Sequence, residues 1–146
     1  MIWLLRHGDA EDTATDDAAR RLTRKGARQA EAAGRALAAM GVELDSCLTS
    51  EKIRARETAE SACRFRGVDP EDHDALRGGD FDAAELATGR GEVLLVGHEP
   101  DLSRAIHAAT GARVKLSKGG LAGIADRTLI ALLRPDDLAR IAGTDS

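Results

Sequence analysis

Short apolar runs alternate with amphipathic segments along this chain. Apolar runs of about four to eight residues bounded by turn-forming residues are typical of buried strands. They predict strands at 2–5, in the second half of 42–50, around 73–76, and at 92–97, 121–126 and 128–134. The last two runs are neighbours in the sequence, which favours an antiparallel pair.

The segments between these runs follow the period of a helix with one buried face. The longest spans 23–40, where Thr23 is placed to cap the start and Gly41 to end the helix. Its predicted apolar face consists of Ala27, Ala30, Ala33, Leu37 and Met40. Further helices are predicted at 50–65, with Ser50 as the cap, and at 82–88, 101–109 and 135–143.

The alternation of strands and helices indicates how the domain is built. It predicts a single α/β domain over residues 1–146, with three layers: a mostly parallel central sheet and helices on both faces. The hydrophobic fraction of 42% in 146 residues is enough for one core. The open edge at the carboxyl ends of parallel strands is where such sheets bind ligands.

Composition excludes several classes of protein. The net charge of -4, from 21 basic and 25 acidic residues, argues against a nucleic-acid binder that relies on bulk positive charge. No apolar stretch approaches the roughly 20 residues of a membrane span, and the first residues lack a signal-peptide pattern. Cys47 and Cys63 have no metal-ligand spacing and are expected to be reduced thiols. We therefore expect a cytoplasmic protein.

Basic side chains follow three of the predicted strands at the point where each strand ends. Arg6, His7 and Gly8 follow the first strand, Arg54 lies shortly after the second, and His98 follows the strand at 92–97. If these strands are parallel, all three groups lie at the same edge of the sheet. Two imidazoles and two guanidiniums in one pocket suit a phosphoryl group, because arginine forks match phosphate oxygens.

The expected chemistry is nucleophilic catalysis by histidine. Neighbouring cations should lower the pKa of His7, because a second positive charge is disfavoured beside them. A neutral His7 then has a lone pair with which to attack phosphorus, while the arginines stabilise the transferring oxygens. The histidines and cysteines show no spacing typical of a metal site, so no cofactor is expected.

Three segments carry a resemblance to a known family. The segments "LLRHGDAE", "TSEKIRARETAE" and "LLVGHEPDLS" resemble the motifs of the histidine phosphatase superfamily, and "RRLTRKGARQA" resembles its small SixA-type branch of phosphohistidine phosphatases. The resemblance implies the phosphoglycerate-mutase-like fold without a large lid insertion. Arg21, Glu51 and Glu57 depart from the family pattern, which has Pro, Pro and Gln at those positions.

The resemblance also implies roles for individual residues. His7 becomes the phosphoryl-accepting nucleophile, Arg6 and Arg54 bind the phosphate, and His98 is the second imidazole, which hydrogen-bonds the phosphoryl oxygens. The backbone at Gly8 is expected to turn close to the phosphate. These roles describe a metal-independent phosphoric monoester hydrolase that passes through a phosphohistidine intermediate.

The general acid and the rim of the pocket stay open at this stage. Candidates for the acid are Asp9, Glu11 and Glu99. The acidic loop 11–17 is either a solvated loop or part of the pocket rim, and Lys118 belongs either to a turn or to the phosphate site; for Lys118 we favour the turn.

The substrate is inferred from the short distance between motifs. Only 43 residues separate Arg54 from His98, too few for a substantial lid domain. An open pocket without an obvious acid suits a labile P–N bond, so the expected substrate is phosphohistidine on a partner protein such as a phosphotransfer domain. The alternatives are a phosphatase of a small phosphorylated metabolite, or an idle module that binds phosphate or a phosphoprotein. Neither nucleic acid nor membrane is expected as a partner.

Overall fold

One six-stranded sheet forms the centre of the molecule. The computed structural model describes residues 1–144, so residues 145 and 146 of the predicted domain lie outside the described part. The strands are β1 (Ile2–Arg6), β2 (Ser46–Thr49), β3 (Pro70–Asp72), β4 (Val93–Gly97), β5 (Leu121–Ala125) and β6 (Thr128–Leu133). Their order is β3-β2-β4-β1-β5-β6; the first four are parallel, β5 is antiparallel to β1, and β6 is antiparallel to β5. The sheet is therefore mixed, with the mostly parallel arrangement that the sequence predicts.

Helices cover both faces of this sheet. They are α1 (Arg24–Ala39), α2 (Ile53–Cys63), α3 (Ala83–Ala87), α4 (Asp101–Thr110) and α5 (Pro135–Ala142). Helix α1 packs between α2 and α5 on one face, and α3 and α4 pack against each other on the opposite face. The three-layer α/β prediction is confirmed. Within residues 1–144, no helix combines the length and apolarity needed to cross a bilayer.

The central strands are buried on both faces, which explains their nearly continuous apolar sequence. In β1, Trp3 and Leu5 point into the core under α1, α2 and α5, whereas Leu4 points into the core under α4. Strand β4 divides in the same way, with Leu94 and Val96 on the first side. Because successive side chains point to opposite faces of the sheet, one apolar run contributes residues to the cores on both faces. The strands that carry the candidate site are held rigidly between these layers.

The first helix begins and ends where the sequence predicts. Thr23 Oγ1 accepts a hydrogen bond from the Gly26 N–H, and Gly41 takes the left-handed conformation just past the last turn. The buried face is rotated slightly from the predicted one. Ala27 and Met40 are exposed, because Gly26 faces the protein and sets the phase of the helix.

Two local predictions are wrong. Residues 73–76 form no strand: β3 ends at Asp72, and His73 instead caps a short 3₁₀ turn through its Nδ1, which accepts from the Ala75 N–H. Ser50 does not cap α2, because the helix begins at Ile53. Ser50 Oγ accepts instead from the Lys52 N–H and turns toward the sheet edge.

A close backbone contact sets the distance between α1 and the end of β1. A Cβ at Gly8 would lie 2.6 Å from the Gly26 carbonyl oxygen, and a Cβ at Gly26 would lie 1.9 Å from the Asp9 carbonyl oxygen. Both distances are too short for any side chain. The two glycines allow the helix to sit directly against the chain that follows His7.

We expect Gly26→Ala to destabilise the protein by about 1–3 kcal/mol, because the added methyl group forces α1 away from the Asp9 carbonyl. This loss outweighs the gain that alanine normally brings inside a helix. The free energy of unfolding in urea measures it. Gly78→Ala is the matched control, since Gly78 is exposed with open space around it. Equal stability of the two variants would contradict the packing argument.

Candidate active site

The three basic motifs meet at one edge of the sheet, as their places in the sequence predict. Strands β2, β4 and β1 are parallel neighbours, with Arg6 level with Gly97 and Thr49 level with Val96. Hydrogen bonds between the strands continue one residue further. The His7 N–H donates to the Gly97 carbonyl at 3.1 Å, and the Ser50 N–H donates to the Val96 carbonyl at 3.0 Å. These bonds fix the backbone from which each candidate side chain projects.

His7 and His98 form the centre of the site. Their ring centroids are 5.2 Å apart, and the planes are tilted by 56°. His7 is only 6% exposed and His98 only 7%. Because both follow buried strands directly, neither ring can move far without disturbing the sheet. The predicted pair of imidazoles is therefore brought together.

A backbone carbonyl determines which nitrogen of His7 carries the proton. The Nδ1 atom lies 2.7 Å from the Gly8 carbonyl oxygen, which can only accept. Nδ1 must therefore be the N–H donor. In the neutral ring the lone pair then belongs to Nε2. A nucleophilic imidazole needs this tautomer.

His98 is held by the hydroxyl of Ser50. Its Nε2 lies 2.8 Å from Ser50 Oγ, which also accepts from the Lys52 N–H at 3.2 Å. The hydroxyl proton of Ser50 is thus free to go to Nε2, an arrangement that leaves a proton on Nδ1. That Nδ1 atom is buried without a hydrogen-bond partner among residues 1–144. A buried donor of this kind is typical of a site built for an acceptor-rich ligand.

Both imidazoles are electrically neutral at physiological pH. Burial, followed by the charges of Arg54, Arg6 and Lys118, lowers the pKa of His7 to about 4. Burial and then the neighbouring His7 and Arg54 lower the pKa of His98 to about 3. The direction for His7 agrees with the sequence argument, although burial contributes more than the cations do.

Arg54 lies in the first turn of α2 and points into the site. Its guanidinium is 6% exposed and donates from Nη1 to the Asp17 carbonyl at 2.8 Å and from Nη2 to Asp17 Oδ2 at 3.1 Å. Asp17 comes from the loop that the sequence left open between solvent and pocket rim. The structure assigns this loop to the rim. Residues 11–21, between the bridged Ala10 and Leu22, form the rim loop. Only the loop's acidic composition and its position after the His7 motif signal this role in the sequence.

Arg6 lies on the other side of the site. Its Nη1 donates to the Leu116 carbonyl at 2.9 Å, and burial lowers the pKa of the guanidinium. The loop that contains Leu116 continues to Gly119, whose N–H donates to the backbone carbonyls of Arg6 and His7. Lys118 therefore stands close enough for its charge to act on His7, although its sequence context favours a turn.

The three candidates for the general acid are placed differently. Glu99 accepts from the Ser103 and Leu116 N–H groups, so both of its oxygens anchor backbone. Glu11 accepts from the Arg21 N–H on the exposed side of its loop. Asp9 follows the His7 motif and is in contact with Lys118. Its hydrogen bond from Thr23 and then the contact with Lys118 lower its pKa, whereas a proton donor at neutral pH needs a raised one.

Thr58 links two motifs and was missed by sequence reasoning. Its Oγ1 accepts from the Gly8 N–H at 3.1 Å and donates to the Arg54 carbonyl at 2.7 Å. The Gly8 N–H is thus already used inside the protein. The need for glycine at this position follows from its contact with Gly26, so a direct role of Gly8 toward phosphate stays a prediction.

Ion pairs explain the departures from the expected family pattern. Arg21 donates from Nη2 to Glu57 Oε2 at 2.9 Å, so two departures form one pair between the rim loop and α2. Glu57 Oε1 also accepts from the Leu22 N–H. The third departure, Glu51, pairs with Arg77. None of these changes alters a side chain at the centre of the site.

Comparison with known proteins assigns the family. The profile of the histidine phosphatase superfamily (branch 1) matches residues 2–92. A protein of Picosynechococcus whose own function is uncharacterized is 32% identical over 137 residues, covering 84% of this chain and 83% of that one. The chain therefore belongs to the histidine phosphatase superfamily.

Solved structures narrow this assignment. A protein of Agrobacterium tumefaciens assigned as the phosphohistidine phosphatase SixA is 27% identical, with a TM-score of 0.76 over 92% of this chain and 97% of its own. The protein histidine phosphatase SixA in complex with tungstate shares the fold, with a TM-score of 0.83 at 22% identity over 94% and 98%. An Escherichia coli protein assigned as an alpha-ribazole-5'-P phosphatase shares it at 0.71 and 19% identity, over 91% and 96%. The chain is a phosphatase of the SixA-type branch.

We expect both imidazoles of the free protein to be neutral at about pH 5.5, where an ordinary histidine is mostly protonated. A ¹⁵N-detected titration of the ring nitrogens measures this directly and should also find the proton of His7 on Nδ1. An inflection near pH 6.5 for either ring would contradict the structure.

The lowered pKa values also affect stability. Between about pH 6.5 and 4 for His7, and down to about pH 3 for His98, the unfolded chain binds protons that the folded protein does not. The contribution of the two histidines to the free energy of unfolding, measured in urea, therefore falls as pH decreases through this window and is constant below it.

Proposed function

We propose that the protein hydrolyses its substrate in two steps through a phosphorylated His7, without a metal ion. The observation that carries the proposal is the fixed tautomer of His7: Nδ1–H donates to the Gly8 carbonyl, and a pKa of about 4 keeps Nε2 unprotonated. Among residues 1–144, His, Cys, Asp and Glu form no group of three that could hold a metal ion. The residues present supply a nucleophile and charge stabilisation by themselves.

In the first step, His7 Nε2 attacks phosphorus and forms an N–P bond. The bond from phosphorus to the leaving group breaks, and the leaving group takes the electron pair and then a proton. The His7 ring becomes a phosphorylated cation whose Nδ1–H stays bonded to the Gly8 carbonyl. In the second step, water attacks phosphorus, the electron pair of the N–P bond returns to Nε2, and inorganic phosphate leaves.

The other basic groups act on the transferring oxygens. Arg6, Arg54 and His98 surround His7, and each has a buried nitrogen without a partner among residues 1–144: Nε in the arginines and Nδ1 in His98. Oxygens of a phosphoryl group are the acceptors that such donors lack. Stabilisation of charge that develops on these oxygens is the main contribution that a protein makes to phosphoryl transfer.

The substrate proposed is phosphohistidine on a partner protein. The two carboxylates at the site whose pKa is shifted, Asp9 and Asp17, both have it lowered, which makes each of them a poor proton donor. An alkoxide leaving group needs such a donor, whereas an imidazole leaves readily once solvent protonates it. The regular elements between α2 and β4 are limited to β3, a 3₁₀ turn and the five residues of α3, so no lid domain separates the rim of the site from a protein surface.

A small phosphorylated metabolite is the second candidate, favoured by the fold shared with a protein assigned to alpha-ribazole-5'-P. A non-catalytic phosphate-binding module is the third. The presence of His7 in a nucleophilic tautomer argues against the third candidate. The following two experiments separate the three.

We expect His7→Ala to lower phosphatase activity by at least about 10³, because no other group in the site is placed to accept the phosphoryl group. Brief mixing of the unaltered protein with a phosphodonor should yield a species heavier by one phosphoryl group, which peptide mapping places on His7. His107→Ala is the matched control, an exposed histidine on α4. A phosphorylated His7→Ala variant, or no trapped species with any donor, would overturn the two-step mechanism.

We expect a phosphohistidine-bearing phosphotransfer domain to exceed a sugar phosphate in kcat/KM by about tenfold or more, because only the sugar leaves as an alkoxide. A panel with an aryl phosphate as the reference measures this ratio. The aryl phosphate separates loss of acid catalysis from loss of binding, since its leaving group needs little protonation. A sugar phosphate or nucleoside phosphate that outperforms phosphohistidine would support the metabolite phosphatase instead.

A further inference from the structure

Asp17 gathers three cations around one carboxylate. Its Oδ2 accepts from Arg54 Nη2 and lies 3.5 Å from Lys52 Nζ, and its Oδ1 accepts from Arg20 Nη1 at 3.1 Å. Its hydrogen bonds with Arg20 and Arg54 lower the pKa of Asp17 to about 2, so the group is an anion at neutral pH. Cations that converge in this way form an anion site, and here a side chain of the same protein is bound in it.

The carboxylate also lies between a surface cavity and Arg54. A cavity of about 690 Å³ opens beside the rim loop and is lined by Asp16, Asp17 and Lys52, with Asp74 and Arg77 on its far side. Within the described residues, neither Arg54 nor either imidazole lines it. Each of those three groups must touch a substrate, yet each is at most 7% exposed. Asp17 is the residue that both lines the cavity and bonds Arg54.

The rim loop is closed at its base by several contacts and carries Asp17 near its tip. The base is closed by an antiparallel bridge between Ala10 and Leu22, by the bond from the Glu11 N–H to the Arg21 carbonyl, and by the pair of Arg21 with Glu57. Asp17 itself lies in a three-residue 3₁₀ turn, and its side chain is 58% exposed. Because the carboxylate is exposed, water can solvate it when it leaves its partners.

The geometry points to Asp17 as an internal competitor for the phosphoryl site: its carboxylate occupies Arg54 in the free protein, an entering phosphoryl group displaces it, and its return expels inorganic phosphate. The inference rests on the proposed function, because Arg54 must be a phosphoryl ligand for the competition to matter. A dianion with three free oxygens can satisfy Arg54, Arg20 and Lys52 together, which a single carboxylate does less completely. After hydrolysis, Asp17 competes with the product, so weak product inhibition is built into the loop.

The test is the affinity for inorganic phosphate, measured by calorimetry at neutral pH and constant ionic strength. We expect Asp17→Asn to bind phosphate about tenfold more tightly than the unaltered protein, because removal of the charge weakens the internal competitor. The substitution keeps the size of the side chain, and the backbone bond to Arg54 is unaffected. A residue that merely positioned Arg54 would give the opposite result: weaker phosphate binding and a lower kcat.

Asp16→Asn is the matched control. Asp16 lines the same cavity and loses the same charge, but its Oδ1 accepts from the Ala19 N–H rather than from Arg54, a bond that asparagine retains. A general electrostatic effect would raise phosphate affinity equally in both variants and would overturn the proposal. If Asp17 is a competitor, Asp16→Asn changes the affinity for inorganic phosphate by less than about twofold.

A crystal structure with bound tungstate provides the second test. The proposal requires the Asp17 carboxylate to have left Arg54 when the anion is present; a carboxylate still within hydrogen-bond distance of Arg54 would overturn it. Trapping of a phosphoryl group on His7 distinguishes failure of the competitor role of Asp17 from failure of the proposed function. If His7 is phosphorylated but Asp17→Asn binds phosphate no more tightly, only the competitor fails. If His7 accepts no phosphate and no variant binds the anion, the proposed function fails as well.

Discussion

The burial of basic side chains in one place is the constraint on which the rest of this site depends. Arg6, Arg54, His7 and His98 are drawn together because three parallel strands end at the same edge. Four positive charges there would be strongly unfavourable in a poorly solvated pocket. The protein meets the constraint in two ways: the imidazoles give up their protons, and the arginines bond to backbone carbonyls, with a carboxylate added at Arg54. The loss of charge on the buried histidines also leaves a free lone pair on His7 Nε2, which the proposed mechanism needs.

The parts of the molecule that the sequence predicts correctly are those set by local pattern. Apolar runs bounded by turns identify the central strands, and helical periodicity identifies α1 with its Thr23 cap. The site follows from one topological inference, that basic residues directly after parallel strands share an edge. That inference needs no side-chain detail, which is why the meeting of His7, Arg54 and His98 is predictable. The predicted buried face of α1 is wrong at positions such as Ala27. The rotation of the helix depends on a contact with a distant segment, and the helical period does not show that contact.

The parts that the sequence does not predict depend on contacts between residues far apart in the chain. Asp17 meets Arg54 across 37 positions, and Ser50 meets His98 across 48. A serine shortly before a helix reads locally as a cap, and an acidic loop reads locally as solvated, so composition alone gives the wrong or an open answer. Arg21 and Glu57 illustrate the same point, because each is an isolated departure in sequence and the two become a single ion pair in space.

The carbonyl that orients His7 belongs to the backbone, and this has an evolutionary consequence. In many sites the histidine tautomer is set by a carboxylate or hydroxyl, so a single substitution can erase it. Here every amino acid at position 8 would still carry the oxygen that accepts from Nδ1. Substitutions can reach the tautomer only by rotating the peptide plane, and the packing of Gly8 against Gly26 restrains that rotation. A substitution in the rim of this phosphatase therefore leaves the donor at His7 Nδ1 and the lone pair at Nε2 in place.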